Sequence, residues 1–170
     1  MLKKIFFSVL LLFPLTLLAQ VQFGYLSYSK IYKAMPEYTA AQNSMKELED
    51  KYNSEVKHSE DEFNRKYAEF YQGQKDFPQY ILEKRQKELQ ELMEKSIDFK
   101  EKAKQLLRDS ESKLKAPIEE RLNQAIKSVG EEFGYSYILN TDNNTYPFIN
   151  ANAGVDITAT VMNRLGIKHE

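Results

Sequence analysis

Two long stretches of charged sequence carry their apolar residues at steps of three and four, and this narrows the fold more than any other feature of the chain. After Pro36, apolar side chains recur at Tyr38, Ala41, Met45, Leu48, Tyr52 and Val56, then at Phe63, Tyr67 and Phe70. A second series runs through Leu82, Leu89, Leu92, Phe99, Ala103 and Leu106, and on through Leu114, Ile118, Leu122, Ala125, Val129 and Phe133. Heptad-like spacing puts such residues in a narrow stripe along one helix face, suited to a partner helix. The intervening residues, as in "KELEDKYNSEVKHSEDE", are nearly all polar or charged. Charged residues make up 29% of the chain and mean hydropathy is −0.60, so the apolar residues must be used in seams rather than in one thick core. The spacing predicts coiled coil.

Between the two series lies "YQGQKDFPQY", where Gly73 and Pro78 supply a stop and a restart. Pro36 suits the first position of the first helix, whose length to Gly73 would be about 55 Å at 1.5 Å per residue. An antiparallel hairpin folded in this turn pairs residues whose numbers sum to about 151. Phe70 then meets Ile81, Tyr52 meets Phe99, Leu48 meets Ala103 and Met45 meets Leu106. Four apolar pairs in one register favour a helical hairpin over two helices that pack elsewhere. The second helix outlasts the first, passes through Pro117, where a kink is expected, and should stop at Gly134.

The flanking sequence is of another kind. "QFGYLS" near the start, "YSYIL" at 135–139 and "YPFI" at 146–149 are rich in strand formers, and "TDNNT" between the last two reads as the turn of a short antiparallel hairpin. The tail "VDITATVMNRLG" places Ile157, Val161 and Leu165 on one helical face, with Asp156 or Thr158 as its start signal and Gly166 as its end. The fold class is therefore α+β and mainly α. A small body, residues 20–36 and 115–170, holds an N-terminal strand, a C-terminal β-hairpin and a helix, and a coiled-coil hairpin arm, residues 37–114, projects from it. Such a body is small enough to be marginal alone, and joining copies would protect its sheet edges. Phe23, Tyr25, Tyr137 and Phe148 are the candidates for oligomer contacts.

Residues 1–19 read as a secretory signal peptide: "MLKK", then the apolar run "IFFSVLLLFPLTLLA" that ends at Ala19. That run is shorter than the roughly 20 residues a membrane-spanning helix needs. Its removal takes away Lys3 and Lys4 and leaves 22 basic against 25 acidic side chains, a net charge of −3. This balance gives no general electrostatic attraction to nucleic acid. With no Cys there is no disulfide to staple the fold in an oxidising compartment and no lipidated cysteine. His58 and His169 lack partner motifs for catalysis, the six glycines are scattered, and acidic runs such as "HSEDE" lack calcium-loop spacing. No enzymatic activity, cofactor or metal is expected.

The phrases "FGYLSYSKIYKAMPEY", "KAPIEERLNQAIKSVGEEFGYSYIL" and "GVDITATVMNRL", placed around a long charged hairpin in an exported chain, resemble the Skp/OmpH family of periplasmic chaperones. The resemblance spans essentially the whole chain after Ala19, and the Pro117–Ile118 pair, the "FGYSYIL" strand and the "DIT" phrase are its most specific parts. It implies a homotrimer in which a β-containing body carries three helical arms around a cavity, where unfolded outer-membrane proteins are held without ATP. In one respect the sequence departs from the strongly basic arms of well-known members. Residues 57–88 carry seven basic and seven acidic side chains, which argues against electrostatic capture of lipopolysaccharide. No lipid site is assigned.

A structural spacer of the envelope is the competing reading. A spacer needs only its seam, whereas a holding chaperone needs apolar side chains outside it. Tyr71, Met93, Ile97 and Leu107 are the sequence's candidates for client contact, with Met a soft and adaptable surface. The short apolar run generates the first prediction. The mature chain should begin at Gln20 and be released in soluble form from the periplasm, and N-terminal sequencing should find Gln20. Recovery of intact Met1 in a membrane fraction would contradict it.

Overall fold

A computed structural model of the chain describes residues 22–150 and 152–168. The expected signal segment, with its expected cleavage after Ala19, lies outside the described residues, as does His169. In chain order the elements are β1 (Phe23–Leu26), α1 (Tyr28–Ala34), α2 (Pro36–Gly73), α3 (Gln79–Phe133), β2 (Ile138–Asn140), a 3-10 turn (Asp142–Asn144), β3 (Gly154–Asp156) and α4 (Thr158–Arg164). They form two compact units. One is Lys30–Gln124, and the other joins the segment ending at Ser29 to the chain from Ala125 onward. The 55-residue α3 belongs to both, its last turns lying in the strand-containing unit.

In the helical unit, α2 begins as the sequence predicts. Pro36 occupies its first turn, and Met35 before it is extended, with φ −68° and ψ 131°. That is the conformation a residue preceding proline prefers. The turn between α2 and α3 is short. Asp76 N–H donates to the Gly73 carbonyl at 3.0 Å, and the N–H groups of Ile81 and Leu82 donate to the Pro78 carbonyl at 2.9 and 3.0 Å. Gly73 has a reason to be glycine here: a Cβ on it would lie 2.6 Å from the Phe77 ring. Phe77 in turn packs on Phe70, with centroids 6.5 Å apart, so the hairpin tip closes over an aromatic pair.

The seam of the hairpin keeps the expected register at one pair and elsewhere runs several residues out of it, with Glu60 meeting Lys100, Glu37 meeting Arg121, and Leu48 sharing a groove with Ser110 and Leu114. Tyr52 and Phe99, paired by the rule of constant sum, have rings 6.1 Å apart. Ala41 and Ala103 are buried, and Met45, Leu48, Val56, Leu89 and Leu92 are half-buried. The gap in the apolar series between Val56 and Phe63 is filled by half-buried Ser59, opposite a stretch of α3 that contains half-buried Ser96. The expected Met45–Leu106 pair does not form part of this seam. Leu106 is exposed and the adjacent Leu107 is half-buried instead. After Ala103 the buried positions continue at Leu107, Ser110, Leu114, Ile118 and Leu122, mostly in steps of four. Steps of four offset the lag that steps of three accumulate against a 3.6-residue turn, and two adjacent leucines let the stripe change phase without loss of apolar character. The helix continues through Pro117. The one lost backbone bond is flanked by buried Ile118 and Leu122, at 4% and 0% exposure.

In the strand-containing unit, β1 is the middle strand of a three-stranded sheet of order β2–β1–β3, and both pairings are parallel. This corrects the expected antiparallel C-terminal hairpin. Residues 146–149 are not a strand, and the third strand is Gly154–Asp156. Three local causes can be named. Asn143 and Asn144 take left-handed φ values of 58° and 55° after β2, and Pro147 lacks the N–H that a ladder needs. Asp142 is also drawn away to the start of α1. Its carboxylate accepts from Ser27 Oγ at 2.7 Å, from Ser29 Oγ at 3.0 Å and from Ser29 N–H at 2.8 Å. Gly154 then pairs with Phe23 where a side chain could not, because a Cβ would lie 2.5 Å from that ring.

The core of this unit is built from Leu26 of β1, Ala125 and Val129 of α3, and Ile157, Val161, Met162 and Leu165 of the C-terminal segment, all nearly inaccessible. The α4 face is the one that the sequence predicts. Asp156 accepts from Thr158 N–H at 2.9 Å and so satisfies a donor at the start of α4 that the helix itself leaves unbonded. Across the unit, Arg164 donates to Ser128 Oγ and to the Glu132 carboxylate, tying α4 to α3.

Two predictions arise from this packing. Burial pushes the Asp142 carboxyl up, but hydrogen bonds from Ser27, Ser29 and Asn140 outweigh it and hold the group below the ordinary carboxylate range. Its stabilisation is therefore complete above the unfolded carboxylate value near 4 and is lost as pH falls through the lower folded value. Asp142→Asn should cost about 1–2 kcal/mol at pH 7, with the gap to the parent in urea unfolding narrowing below about pH 4. The phase of the seam makes a second contrast. Leu107→Ser should destabilise the hairpin by about 1–2 kcal/mol, and Leu106→Ser should stay within about 0.5 kcal/mol of the parent; thermal unfolding would show which leucine is in the seam.

Candidate functional site: apolar side chains outside the hairpin seam

A two-helix seam can bury only one stripe from each helix, so any further apolar residue must stay in contact with solvent. On α2 these are Tyr67 and Tyr71, 51% and 66% exposed. On α3 they are Tyr80, Met93, Ile97 and Leu106, at 75%, 55%, 53% and 48%. Three of the four client-contact candidates, Tyr71, Met93 and Ile97, are thus placed at the surface. Leu107, the fourth, lies half-buried in the seam, and Leu106 takes its place outside. Spacing alone assigns Tyr67 to the stripe. The structure puts half-buried Lys66 there instead, between Phe63 and Phe70. The signal is present in the sequence, since steps of three and four from Phe63 reach Phe70 through residue 66 as readily as through residue 67.

Two of these residues converge. Met93 and Ile97, four apart on α3 and so on one face, line a groove of about 330 Å³ together with Phe63, Asn64 and Ser96. An ion pair between Lys100 of α3 and Glu60 of α2 stands at its edge. Phe63 also begins a column of rings on α2. Its centroid is 6.1 Å from that of Tyr67, which is 6.5 Å from Tyr71, with interplanar angles of 18° and 21°. Charges beside the column are paired within the chain, as in Arg65 with Glu69 on α2 and Lys84 and Arg85 with Glu88 on α3. These pairs are exposed and each contributes little to stability, but together they leave the outer hairpin without a strong field of either sign.

The oligomer candidates occupy less uniform positions. Phe23 is half-buried and stacks on Tyr137 with centroids 5.4 Å apart, and Tyr25 is half-buried on the same strand. Because β1 is central, neither residue offers a free strand edge; the outer edges belong to β2 and β3. Tyr137 is half exposed, and Phe148 is 82% exposed in the loop before β3. A stacked pair of Phe133 and Tyr135, 6.0 Å apart, adds aromatic surface at the end of α3. Among the described residues there is no group of three acidic, His or Cys side chains able to hold a metal, and no helix is long and apolar enough to cross a membrane.

Comparison with known proteins agrees with this architecture. No curated protein matches the chain. Among solved structures, an OmpH-like protein of Caulobacter crescentus CB15, given the provisional name of outer membrane chaperone, superposes with a TM-score of 0.71 at 16% identity. The match covers 84% of this chain and 82% of that one, and at that identity it establishes a shared fold. The family model for outer membrane protein (OmpH-like) matches residues 22–165. The long hairpin, the small strand-containing unit and this match over most of the sequence lead to one conclusion: the chain belongs to the OmpH-like family.

Proposed function

We propose that this protein is an ATP-independent holding chaperone of the periplasm that keeps unfolded outer-membrane proteins from aggregating. In this reading it acts as a homotrimer, with clients held in a cavity between the helical arms. The observation that carries the proposal is the set of apolar side chains left outside the seam, with Tyr67, Tyr71, Met93 and Ile97 all at least half exposed. A passive spacer gains nothing from them, and they would be a solubility liability in an inert rod. Membership of the OmpH-like family and the name carried by the C. crescentus structure support the same reading.

The physical mechanism is many weak contacts. Burying one exposed apolar side chain contributes on the order of 1–2 kcal/mol at about 25 cal/mol per Å². Several such contacts on each of several arms give avidity without a deep binding site. Because the charges on the outer hairpin balance, holding should depend little on ionic strength, since salt screens charge and not apolar burial. Trimer contacts are proposed through the strand-containing unit, where Tyr137 and Phe148 offer exposed aromatic surface.

The test is suppression of light scattering when an unfolded β-barrel protein is diluted from urea. Replacing Tyr71, Met93, Ile97 and Leu106 together by Ser should weaken suppression severalfold while the native mass remains that of a trimer. Equal holding by parent and variant, abolished in both by moderate salt, would make charge the main attraction and overturn the apolar mechanism. A native mass of one chain would overturn the trimer.

A further inference from the structure

We propose that Met93 is an oxidation site, at which a peroxide converts the groove it shares with Phe63 and Ile97 from an apolar to a polar surface. The inference rests on the holding function proposed above and adds a reversible control of that surface. The chain has five methionines and no cysteine, so no thiol competes for an oxidant and the thioethers are its oxidisable sulfurs. Which of them reacts follows access. Met35 and Met162 are buried, at 1% and 6% exposure, and Met45 is half-buried in the hairpin seam. Met93 is 55% exposed. Among the described residues it is the methionine that an oxidant in solution meets first.

The step is a two-electron oxygen transfer. A lone pair of the thioether sulfur attacks one oxygen of hydrogen peroxide; the S–O bond forms as the O–O bond breaks, and hydroxide leaves. The proton on the transferred oxygen passes to that hydroxide, so the products are a sulfoxide and water. Sulfur is oxidised and the peroxide is reduced. A flexible apolar side chain thereby becomes a polar one, with a strong acceptor oxygen in place of a weakly accepting sulfur. The groove of about 330 Å³ is suited to the product as well as to the thioether, because Asn64 and Ser96 line it beside Phe63, Met93 and Ile97. Their amide and hydroxyl groups are donors that a sulfoxide oxygen can use and a thioether cannot use well. An apolar segment entering the oxidised groove has to strip water from that oxygen without replacing its hydrogen bonds, which is unfavourable. The fold is spared. Met93 lies outside the seam, whose α3 members nearby are Leu89, Leu92, Ser96 and Phe99, so both oxidation states keep the same helix pairing. Sulfoxide reductases return the thioether, which makes the change a switch rather than a lesion.

The experiment treats the purified protein with hydrogen peroxide for a limited time and maps oxygen uptake by peptide mass spectrometry. Conversion at Met93 should exceed that at Met35, Met45 and Met162 by about fivefold or more. Circular dichroism and the thermal midpoint should not change, while suppression of light scattering from an unfolded β-barrel protein should fall about two- to threefold. A mixture of the two sulfoxide reductases, one for each epimer, should restore it. Met93→Leu, measured against its own untreated sample, should lose no holding on the same treatment, and Met45→Leu should lose as much as the parent. Faster oxidation at another of these methionines, holding unchanged after full conversion of Met93, or equal loss in Met93→Leu would each overturn the proposal. The two levels separate in the same samples. An untreated parent that holds well and is indifferent to peroxide sinks the switch alone, and an untreated parent that suppresses no aggregation sinks the holding function and the switch with it.

Discussion

The seam between α2 and α3 is the constraint on which the rest of the hairpin depends. Two helices can share only one narrow contact, so each apolar side chain on them is either in that contact or in water. Most of α2 and α3 is charged or polar, and the residues that are neither stand out. The seam itself is modest, with alanines at 41 and 103 and serines at 59 and 96 among its members. Small residues allow close approach of the helices but bury little area. Larger apolar side chains, Tyr71, Met93 and Ile97 among them, lie outside. The seam also holds Leu48, Tyr52, Val56, Leu89, Leu92 and Phe99, so the apolar residues outside it are a surplus beyond what pairing the helices needs, and that surplus is why the surface of the hairpin bears the functional reading.

Local periodicity makes much of this legible in the sequence. The helix start at Pro36, the stop before Gly134, the tip near Gly73 and Pro78, and the buried face of Ile157, Val161 and Leu165 all depend on residues within a turn or two of one another. The Tyr52–Phe99 pairing is long-range, yet it is readable because an antiparallel hairpin has a single free parameter, the position of its turn. Phase is harder. Leu106 and Leu107 are equally apolar, and at 66 and 67 the charged Lys66 rather than Tyr67 takes the half-buried position; in both places the accumulated lag of a 3.6-residue turn against the partner helix decides.

The strand-containing unit shows where sequence reasoning stops. The run "YPFIN" has the composition of a strand but sits where Asn143, Asn144 and Pro147 deny it a partner. β3 is the weak-looking "GVD", formed because Gly154 can lie against Phe23 and because Ile157, just beyond it, donates to the Tyr25 carbonyl at 2.9 Å. No local pattern announces a parallel pairing between segments near opposite ends of the sequence, such as Phe23 with Gly154. Asp142 is a similar case. It reads as a turn residue in "TDNNT", and in the fold it fastens the first turn of α1 through Ser29, far back along the chain. Gly73, which reads as a helix stop and ends α2, also leaves the space that Phe77 fills.

The central claim is that clients are met by the apolar side chains outside the seam. Site-specific photo-crosslinking tests it most directly, with a photoreactive phenylalanine placed singly at Ile97, at Tyr71 and at the exposed charged positions Lys104 and Glu94 of α3. With an unfolded β-barrel protein bound, irradiation should give strong adducts from positions 71 and 97 and weak ones from positions 94 and 104. Adducts of equal yield at all four positions would mean that the hairpin surface is not differentiated for binding, and would contradict the account.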